Sequence, residues 1–186
     1  MAPRYDLPNA APAPLRLVQE LVNTRDAEHG RRELLPTPAA LASWLSEHGL
    51  PGAGSATPAG LERTLLLRES LRALLVANGG SALDQGAVAT LNGLAEEAGV
   101  GLRFAAEGSA RLEPSAGGVS AAHGRILALV HDAMTDGTWP RLKACRQCRW
   151  AFYDYSKNRS ATWCSMQLCG NRRKTRAYRA RRRNVA

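Results

Sequence analysis

Hydrophobic residues recur three and four positions apart along most of the first 140 residues, which is the spacing of one face of an α-helix. In the segment LRLVQELVNT, for example, Leu17 and Leu21 are four positions apart. Two later segments begin with Thr-Pro, at Thr37 and Thr57, and threonine is favoured at the N-cap and proline at the first helical position. We predict five helices, in the segments 15–24, 37–49, 57–79, 84–99 and 124–134.

One segment of the N-terminal region breaks the helical spacing. In VGLRFAAEGSARLEP, Leu102 and Phe104 alternate with small or polar neighbours, and the EGS run supplies a turn before Arg111. This pattern is typical of a β-hairpin, and because two strands alone are marginally stable we expect it to pack on the helices. The first 140 residues are therefore predicted to be mainly α with one small β-hairpin, which is an α+β arrangement.

The composition of the chain limits the class of protein. Of the 186 residues 45% are hydrophobic but only 5% are aromatic, so a core is expected that is built from Leu, Ala and Val. No run of 18 apolar residues is present, which argues against a membrane partner, and the first residues lack the pattern of a secretory signal. We expect a soluble, cytoplasmic protein.

Charge is distributed unequally between the two ends of the chain. The segment 141–183 contains 14 lysines and arginines and one acid, Asp154, whereas the first 140 residues contain 11 basic and 15 acidic residues. A concentrated basic end indicates a polyanionic partner, and a solubilising tail is the alternative. This change of charge, together with the junction DGTWP, predicts two domains, 1–138 and 139–186.

All four cysteines lie in this basic end, as two close pairs separated by fifteen residues: Cys145 and Cys148, then Cys164 and Cys169. Paired thiols at this spacing predict a tetrahedral zinc site, and four thiolates would leave no coordination position for a catalytic water. The zinc is therefore expected to be structural, replacing a core that so short a segment cannot build. The alternatives are disulfides, unrelated buried thiols, and a redox pair formed by the first two cysteines.

The loop between the cysteine pairs contains five of the ten aromatic residues of the chain. Trp150 and Phe152 alternate as in a strand that leaves the first pair, with Trp163 in the returning segment. The favoured interpretation is a small aromatic core packed against the zinc. The alternative is that Tyr153 or Tyr155 stacks on a base or contacts a phosphate.

The segment CRQCRWAFYDYSKNRSATWCSMQLCGNRRKTRAYRARR resembles the CGNR zinc finger family, which is named for the run that stands here at 169–172. The stretch FYDYSKNRS is similar to the interior of that finger. Upstream, LVNTRD and TPAALASWLSEHGL resemble the ABATE domain that is usually joined to it. The resemblance implies a bacterial, stress-associated transcription regulator whose finger binds DNA.

The residues after Gly170 predict a basic C-terminal helix, because arginines recur there at intervals of four, three and four along one helical face. Such a stripe can neutralise phosphates of duplex DNA or read guanine edges. Some arginines near the cysteines, namely Arg146, Arg149 and Arg172, could instead neutralise the anionic zinc–thiolate group. The predicted nucleic-acid-binding residues are Lys157, Asn158, Arg159, Asn171, Arg172, Arg173, Lys174, Arg176, Arg179 and Arg183.

No sequence motif points to an enzyme. The four histidines are scattered, and there is no glycine-rich phosphate loop or nucleophile motif, so we predict a non-catalytic protein. Asn23 and Thr24, polar residues that end an apolar helix, are candidates to line a site for a small-molecule effector, with an ordinary helix C-terminus as the alternative. An RNA-associated or protein-interaction zinc module remains the alternative function, and a homodimer would double a small DNA footprint.

Overall fold

The fold is known from a computed structural model, which describes residues 9–28 and 32–171. About half of this part is helical, and three antiparallel two-stranded sheets accompany the helices. The α-helices are α1 (Arg16–Val22), α2 (Pro38–Glu47), α3 (Pro58–Ala77), α4 (Gln85–Ala98) and α5 (Gly118–Thr135). The sheets pair β1 (Arg25–Asp26) with β2 (Arg32–Glu33), β3 (Val100–Phe104) with β4 (Ala110–Pro114), and β5 (Leu142–Ala144) with β6 (Ala151–Tyr153).

The predicted helix starts are confirmed by their capping hydrogen bonds. The hydroxyl of Thr37 accepts a hydrogen bond from the backbone N–H of Ala40 at 3.2 Å, and that of Thr57 accepts one from Gly60 at 3.1 Å. The Asp84 carboxylate caps α4 in the same way. Each cap satisfies a backbone donor that has no partner within its own helix, so the local sequence is enough to fix these three starts.

Helix α5 is longer than the sequence pattern predicts. It begins at Gly118 rather than at Gly124. The added first turns contain small residues that carry little apolar signal, and Gly118 itself has a φ of +60°. Its backbone lies against Gly52, where an added Cβ would come within 2.5 Å of the N atom of Val119. The two glycines are therefore needed for the close approach of the loop that precedes α3 to the start of α5.

The main hydrophobic core lies around α3, which packs against α1, α2, α4, α5 and β5. Leu67, Leu71 and Leu75 of α3 have no exposed surface. The same cluster continues beyond residue 138 into Trp139, Leu142, Ala144, Ala151 and Tyr153. The division into domains 1–138 and 139–186 stays a prediction, but the two parts share one core in the described residues.

The β3–β4 hairpin packs on the helices only at its root. There Gly124 of α5 lets the strands approach closely, since an added Cβ would lie 2.6 Å from the Cβ of Pro114. Farther along the hairpin Leu102 is 56% exposed and Phe104 is 74% exposed. The expectation that the hairpin lies on the helices therefore applies to its base, because the strands extend past the helix that supports them.

Among the described residues, no helix has both the length and the apolar character that crossing a bilayer would require.

Candidate metal centre

The structure brings the four cysteines together at one buried point. Their Sγ atoms all lie within 4.8 Å of one another, and each residue is at most 3% exposed. The Cys148 Sγ lies 3.6 Å from that of Cys164 and 3.5 Å from that of Cys169, and the last two are 3.7 Å apart. All four are free thiols, so the predicted quartet is formed without a disulfide.

These separations fit a tetrahedral metal site. Four sulfurs at the usual Zn–S distance of about 2.3 Å stand about 3.8 Å apart along each edge of the tetrahedron. A disulfide would require a separation of about 2.05 Å. The donor set and the spacing identify a four-thiolate zinc site, and because all four coordination positions come from protein the zinc is structural.

A tight turn after β5 aims the first cysteine pair. The backbone N–H of Cys145 donates to the carbonyl of Trp150 at 2.9 Å, and the N–H of Arg149 donates back to the carbonyl of Cys145 at 2.9 Å. Arg149 has a φ of +61°, in the left-handed region, which reverses the chain immediately before β6. The backbone of β5 and β6 thus holds both sulfurs on the same side.

The second cysteine pair is organised by a single π-helical turn, Met166–Gly170. Ser165 caps this turn, because its hydroxyl accepts a hydrogen bond from the N–H of Leu168 at 3.3 Å. Its carbonyl accepts from the N–H of Cys169 at 3.0 Å. The turn ends at Gly170, with Asn171 as its C-cap, and it places the Sγ of Cys169 beside the other three sulfurs.

The sulfur cluster changes how readily its members lose protons. Hydrogen bonds from Cys148, Cys164 and Cys169 lower the pKa of Cys145. Hydrogen bonds with Cys145, Cys164 and Cys169 raise the pKa of Cys148. Zinc binds thiolates, so loading the site releases protons and its affinity falls in acid.

The aromatic residues between the cysteine pairs pack as the favoured interpretation predicts. Trp150 and Phe152 are 5% and 1% exposed and form a second hydrophobic cluster with the four cysteines, against which Trp163 packs. Tyr153 instead belongs to the main core, and Tyr155 is exposed with its hydroxyl donating to the carbonyl of Ala10 at 2.8 Å. The strand that contains Phe152 pairs with β5, not with the segment around Trp163.

A buried ion pair that the sequence analysis did not identify fixes the loop after β6. The ammonium of Lys143 donates to the Asp154 carboxylate at 2.8 Å, and the two side chains are 7% and 0% exposed. The carboxylate also accepts from the backbone N–H groups of Ser156 and Ala161, each at 2.9 Å. The same ammonium donates to the carbonyl of Arg159. Burial raises the pKa of Asp154, but hydrogen bonds from Lys143 and Ser156 outweigh it, so the net pKa is lowered.

The loop held by this pair exposes three of the predicted nucleic-acid-binding residues, Lys157, Asn158 and Arg159. Arg159 has a φ of +51°, and its N–H donates to the carbonyl of Ser156 at 3.2 Å. Asn171 is exposed at the end of the π-helical turn. The rest of the predicted stripe and its basic helix lie outside the described residues: Arg172, Arg173, Lys174, Arg176, Arg179 and Arg183.

The arginines beside the first cysteine pair contact the helical region. The guanidinium of Arg146 donates to the carbonyl of Gly79, just past the end of α3, at 2.8 Å. The carbonyl of Arg149 accepts from the guanidinium of Arg72 at 2.9 Å. In the structure Arg146 and the backbone of Arg149 thus join the zinc module to α3.

The two candidate ligand-binding residues, Asn23 and Thr24, line a cleft of about 410 Å³ whose wall includes Trp44 and Trp150. Both side chains already have protein partners. The amide of Asn23 bonds to the backbone of Ala151, and the hydroxyl of Thr24 donates to the carbonyl of Leu21 at 2.8 Å. Ligand binding by these residues stays a prediction, and the structure gives them a role in holding α1.

Comparison with protein families agrees with this geometry. The family model ABATE, described as "Putative stress-induced transcription regulator", matches residues 15–137, and the CGNR zinc finger model matches residues 141–182. No curated protein is similar enough to count as a match. The first model covers more than half of the chain, and the second ends beyond the four clustered cysteines. The chain therefore belongs to the ABATE family and carries a CGNR zinc finger after the ABATE region.

Proposed function

We propose that this protein is a non-catalytic transcription regulator that binds duplex DNA through its zinc finger. The observation that carries the proposal is the buried Lys143–Asp154 pair, which fixes the backbone of a loop that exposes Lys157, Asn158 and Arg159. A loop of fixed conformation presents its charges to phosphates with less loss of conformational entropy than a mobile one.

The chemistry of these three side chains suits DNA. Lysine and arginine neutralise phosphates and release condensed counterions, which supplies affinity that does not depend on sequence. Arginine can also donate two hydrogen bonds to guanine, and an asparagine amide can pair with adenine in the major groove. The exposed side chains of the loop therefore combine groups for positioning with groups for base recognition.

A second basic segment leaves the same zinc site. Two residues after Cys169 the chain reaches Asn171, and the next twelve residues contain eight arginines and lysines and no acid. The zinc site fixes where this segment begins, since Cys169 is a ligand. The family description as a transcription regulator supports the same function.

The helical region would then transmit or receive a signal. Its core is continuous with β5 and β6 of the finger, so a change in its packing alters the support of the zinc module. This continuity favours a role for the N-terminal region in ligand sensing or interaction, and a homodimer would place two fingers on one operator.

The alternative is an RNA-associated or protein-interaction zinc module. A gel-shift measurement with zinc-loaded full chain, a pool of genomic duplexes and RNA as competitor separates these functions. A DNA regulator should bind duplex with an affinity that falls steeply with salt and should enrich particular sequences. RNA that displaces all duplex at equal concentration, or no retained duplex at low salt, would reject the proposal.

A further inference from the structure

A trough of about 640 Å³ lies between strand β4 and helix α5, away from the residues that the proposed function uses. This volume lies in the range of small-molecule sites, which is about 300–1,000 Å³. Carbon atoms form most of its wall. The walls include Leu17 of α1, Leu50 after α2, Leu112 of β4 and Leu129 of α5, and each of these leucines is only partly buried.

The trough exists because the floor is made of small residues. Ala121 and Ala128 of α5 face it, and each is less than 9% exposed. The root of the hairpin is held close to this helix at Gly124, while the loop carrying Leu50 is held against the start of the helix by Gly52. The gap is therefore bounded by close packing at two glycines, against the Pro114 side chain at Gly124 and against the backbone of Gly118 and Val119 at Gly52.

The charges at the trough are not balanced. Within the part of the chain that the structure describes, two arginines and one glutamate line it, and Arg111 is paired with Glu113 at 2.6 Å. The guanidinium of Arg125 is exposed and makes no ion pair or hydrogen bond within residues 9–28 and 32–171. One uncompensated positive charge thus stands beside an apolar wall, with Ala121 one helical turn before it and Leu129 one turn after it.

We propose that this trough binds a small amphipathic carboxylate, with its anionic group on Arg125 and its apolar body between Leu112 and Leu129. A planar guanidinium can hold a carboxylate through two parallel hydrogen bonds. The apolar body would cover leucine surface that the core leaves in contact with water. A cationic ligand is disfavoured because Glu113, the only acid among the described residues that line the trough, is already paired with Arg111.

A carboxylate bound here would be the effector that the N-terminal region senses. The binding itself does not depend on the proposed function, but the use of the ligand as an effector rests on it. Calorimetric titration of the zinc-loaded full chain, without nucleic acid, tests the binding itself. The probes are octanoate and 2-naphthoate as carboxylates, with octanol and octylamine as the uncharged and cationic counterparts of the first. We expect saturable one-to-one binding of at least one carboxylate and none of octylamine.

Two variants locate the site. R125Q should weaken carboxylate binding by about tenfold or more, since it removes a charged hydrogen-bonding partner. A128L, which fills the floor without changing charge, should also abolish or strongly weaken it. The matched control is R103Q, which removes an exposed arginine on β3 that does not line the trough, and it should bind like wild type. Circular dichroism and zinc content check that each variant is folded.

The proposal is overturned if neither carboxylate gives saturable binding, if octylamine binds as well as octanoate, or if R125Q binds as wild type does. Because these titrations contain no nucleic acid, their failure leaves the DNA-binding proposal intact. Loss of duplex binding in the gel-shift experiment would in turn leave the carboxylate site standing.

Discussion

The side-chain amide of Asn23 makes two hydrogen bonds with the backbone of Ala151. Its Nδ2 donates to the Ala151 carbonyl at 2.9 Å, and the Ala151 N–H donates to its Oδ1 at 2.8 Å. Gln19 adds a third hydrogen bond to the same carbonyl at 3.1 Å. Residues at the end of α1 thus complete the free edge of β6, the strand that follows the first cysteine pair.

We expect N23A to lower the free energy of unfolding by about 1–3 kcal/mol, because the Ala151 N–H is left in a partly buried position without an acceptor. N23D should lower the free energy of unfolding by at least as much, since one carboxylate oxygen would face the oxygen of the Ala151 carbonyl. Urea denaturation of the zinc-loaded chain measures both. The matched control is N92A on the exposed face of α4, where a change within about 0.5 kcal/mol is expected. Equal effects of N23A and N92A would show that this contact does not stabilise the junction.

The buried Lys143–Asp154 pair should be far more sensitive to substitution than any exposed charge in the finger. K143M leaves the Asp154 carboxylate buried without its cation, which is expected to cost about 3–5 kcal/mol. K157M removes an exposed lysine from the same loop and is the matched control, with an expected change within about 0.5 kcal/mol. Chemical denaturation gives both values. If K143M is as stable as K157M, the ion pair does not hold the loop.

The local parts of the fold could be predicted from sequence, and the contacts between distant parts could not. Thr37 and Thr57 cap their own helices three residues away, so the signal lies within a few positions. The cysteine quartet could also be predicted from local sequence, because the short spacing within each pair is typical of metal ligands. Nothing local indicates that Asn23 meets Ala151, which is 128 residues away.

Two features were partly visible in the sequence. Asp154 is the only acid in a segment of 14 basic residues, and this isolation was a signal that it neutralises one particular cation, although the sequence does not show which one. The alternation around Leu102 and Phe104 correctly predicted the hairpin. It could not show that both side chains stay exposed, since exposure depends on how far α5 extends beneath the strands.

Acid should destabilise the fold through His123, which is 2% exposed on α5. Burial lowers the pKa of His123 from 6.5 to about 4. Between pH 6.5 and about pH 4, the His123 imidazole is therefore mostly protonated in the unfolded chain and mostly neutral in the native state. The stabilising contribution is fully present above pH 6.5, declines as pH falls, and is lost by about pH 4, with a total of about 3 kcal/mol.

Acid also releases zinc, but it does so equally in the wild type and in the variant H123Q. A comparison of the two therefore isolates the contribution of His123. Thr64 donates its hydroxyl hydrogen to the Gly60 carbonyl at 2.8 Å, so it accepts from Nε2 of His123 at 2.9 Å. A glutamine amide can supply a comparable donor without titrating. The difference in unfolding free energy between wild type and H123Q should change by about 2 kcal/mol between pH 7.5 and pH 5. A constant difference would mean that His123 titrates normally in the fold.

The zinc prediction is one metal ion per chain, bound by the four clustered thiolates. Elemental analysis should give one equivalent, and Co²⁺ substitution should produce the intense visible bands of a tetrahedral four-sulfur site. C164S should lose most of its metal. Because β5 and β6 belong to the main core, chelation should also lower the melting temperature of the helices. Well under half an equivalent of zinc, with no change of stability on chelation, would contradict the assignment.

Part of the salt dependence of duplex binding should come from the loop of the finger that exposes Lys157 and Arg159. If Lys157 and Arg159 both contact phosphate, K157Q/R159Q should flatten the plot of log affinity against log salt by about 1.8 units, or 0.9 for each contact. R176A/R179A, in the basic segment outside the described residues, should flatten it by about the same amount if both arginines meet phosphate. Fluorescence anisotropy at a series of salt concentrations measures the slopes.

The control R63Q/R103Q removes the same number of positive charges from exposed positions on α3 and β3. It should leave the slope unchanged, because counterions are released only where a charge meets DNA. A loss of about 1–3 kcal/mol confined to particular sequences would instead assign a base contact to the substituted arginine. If K157Q/R159Q and R176A/R179A both have the wild-type slope and affinity, these four charges do not contact DNA, and the DNA-binding proposal loses its physical support.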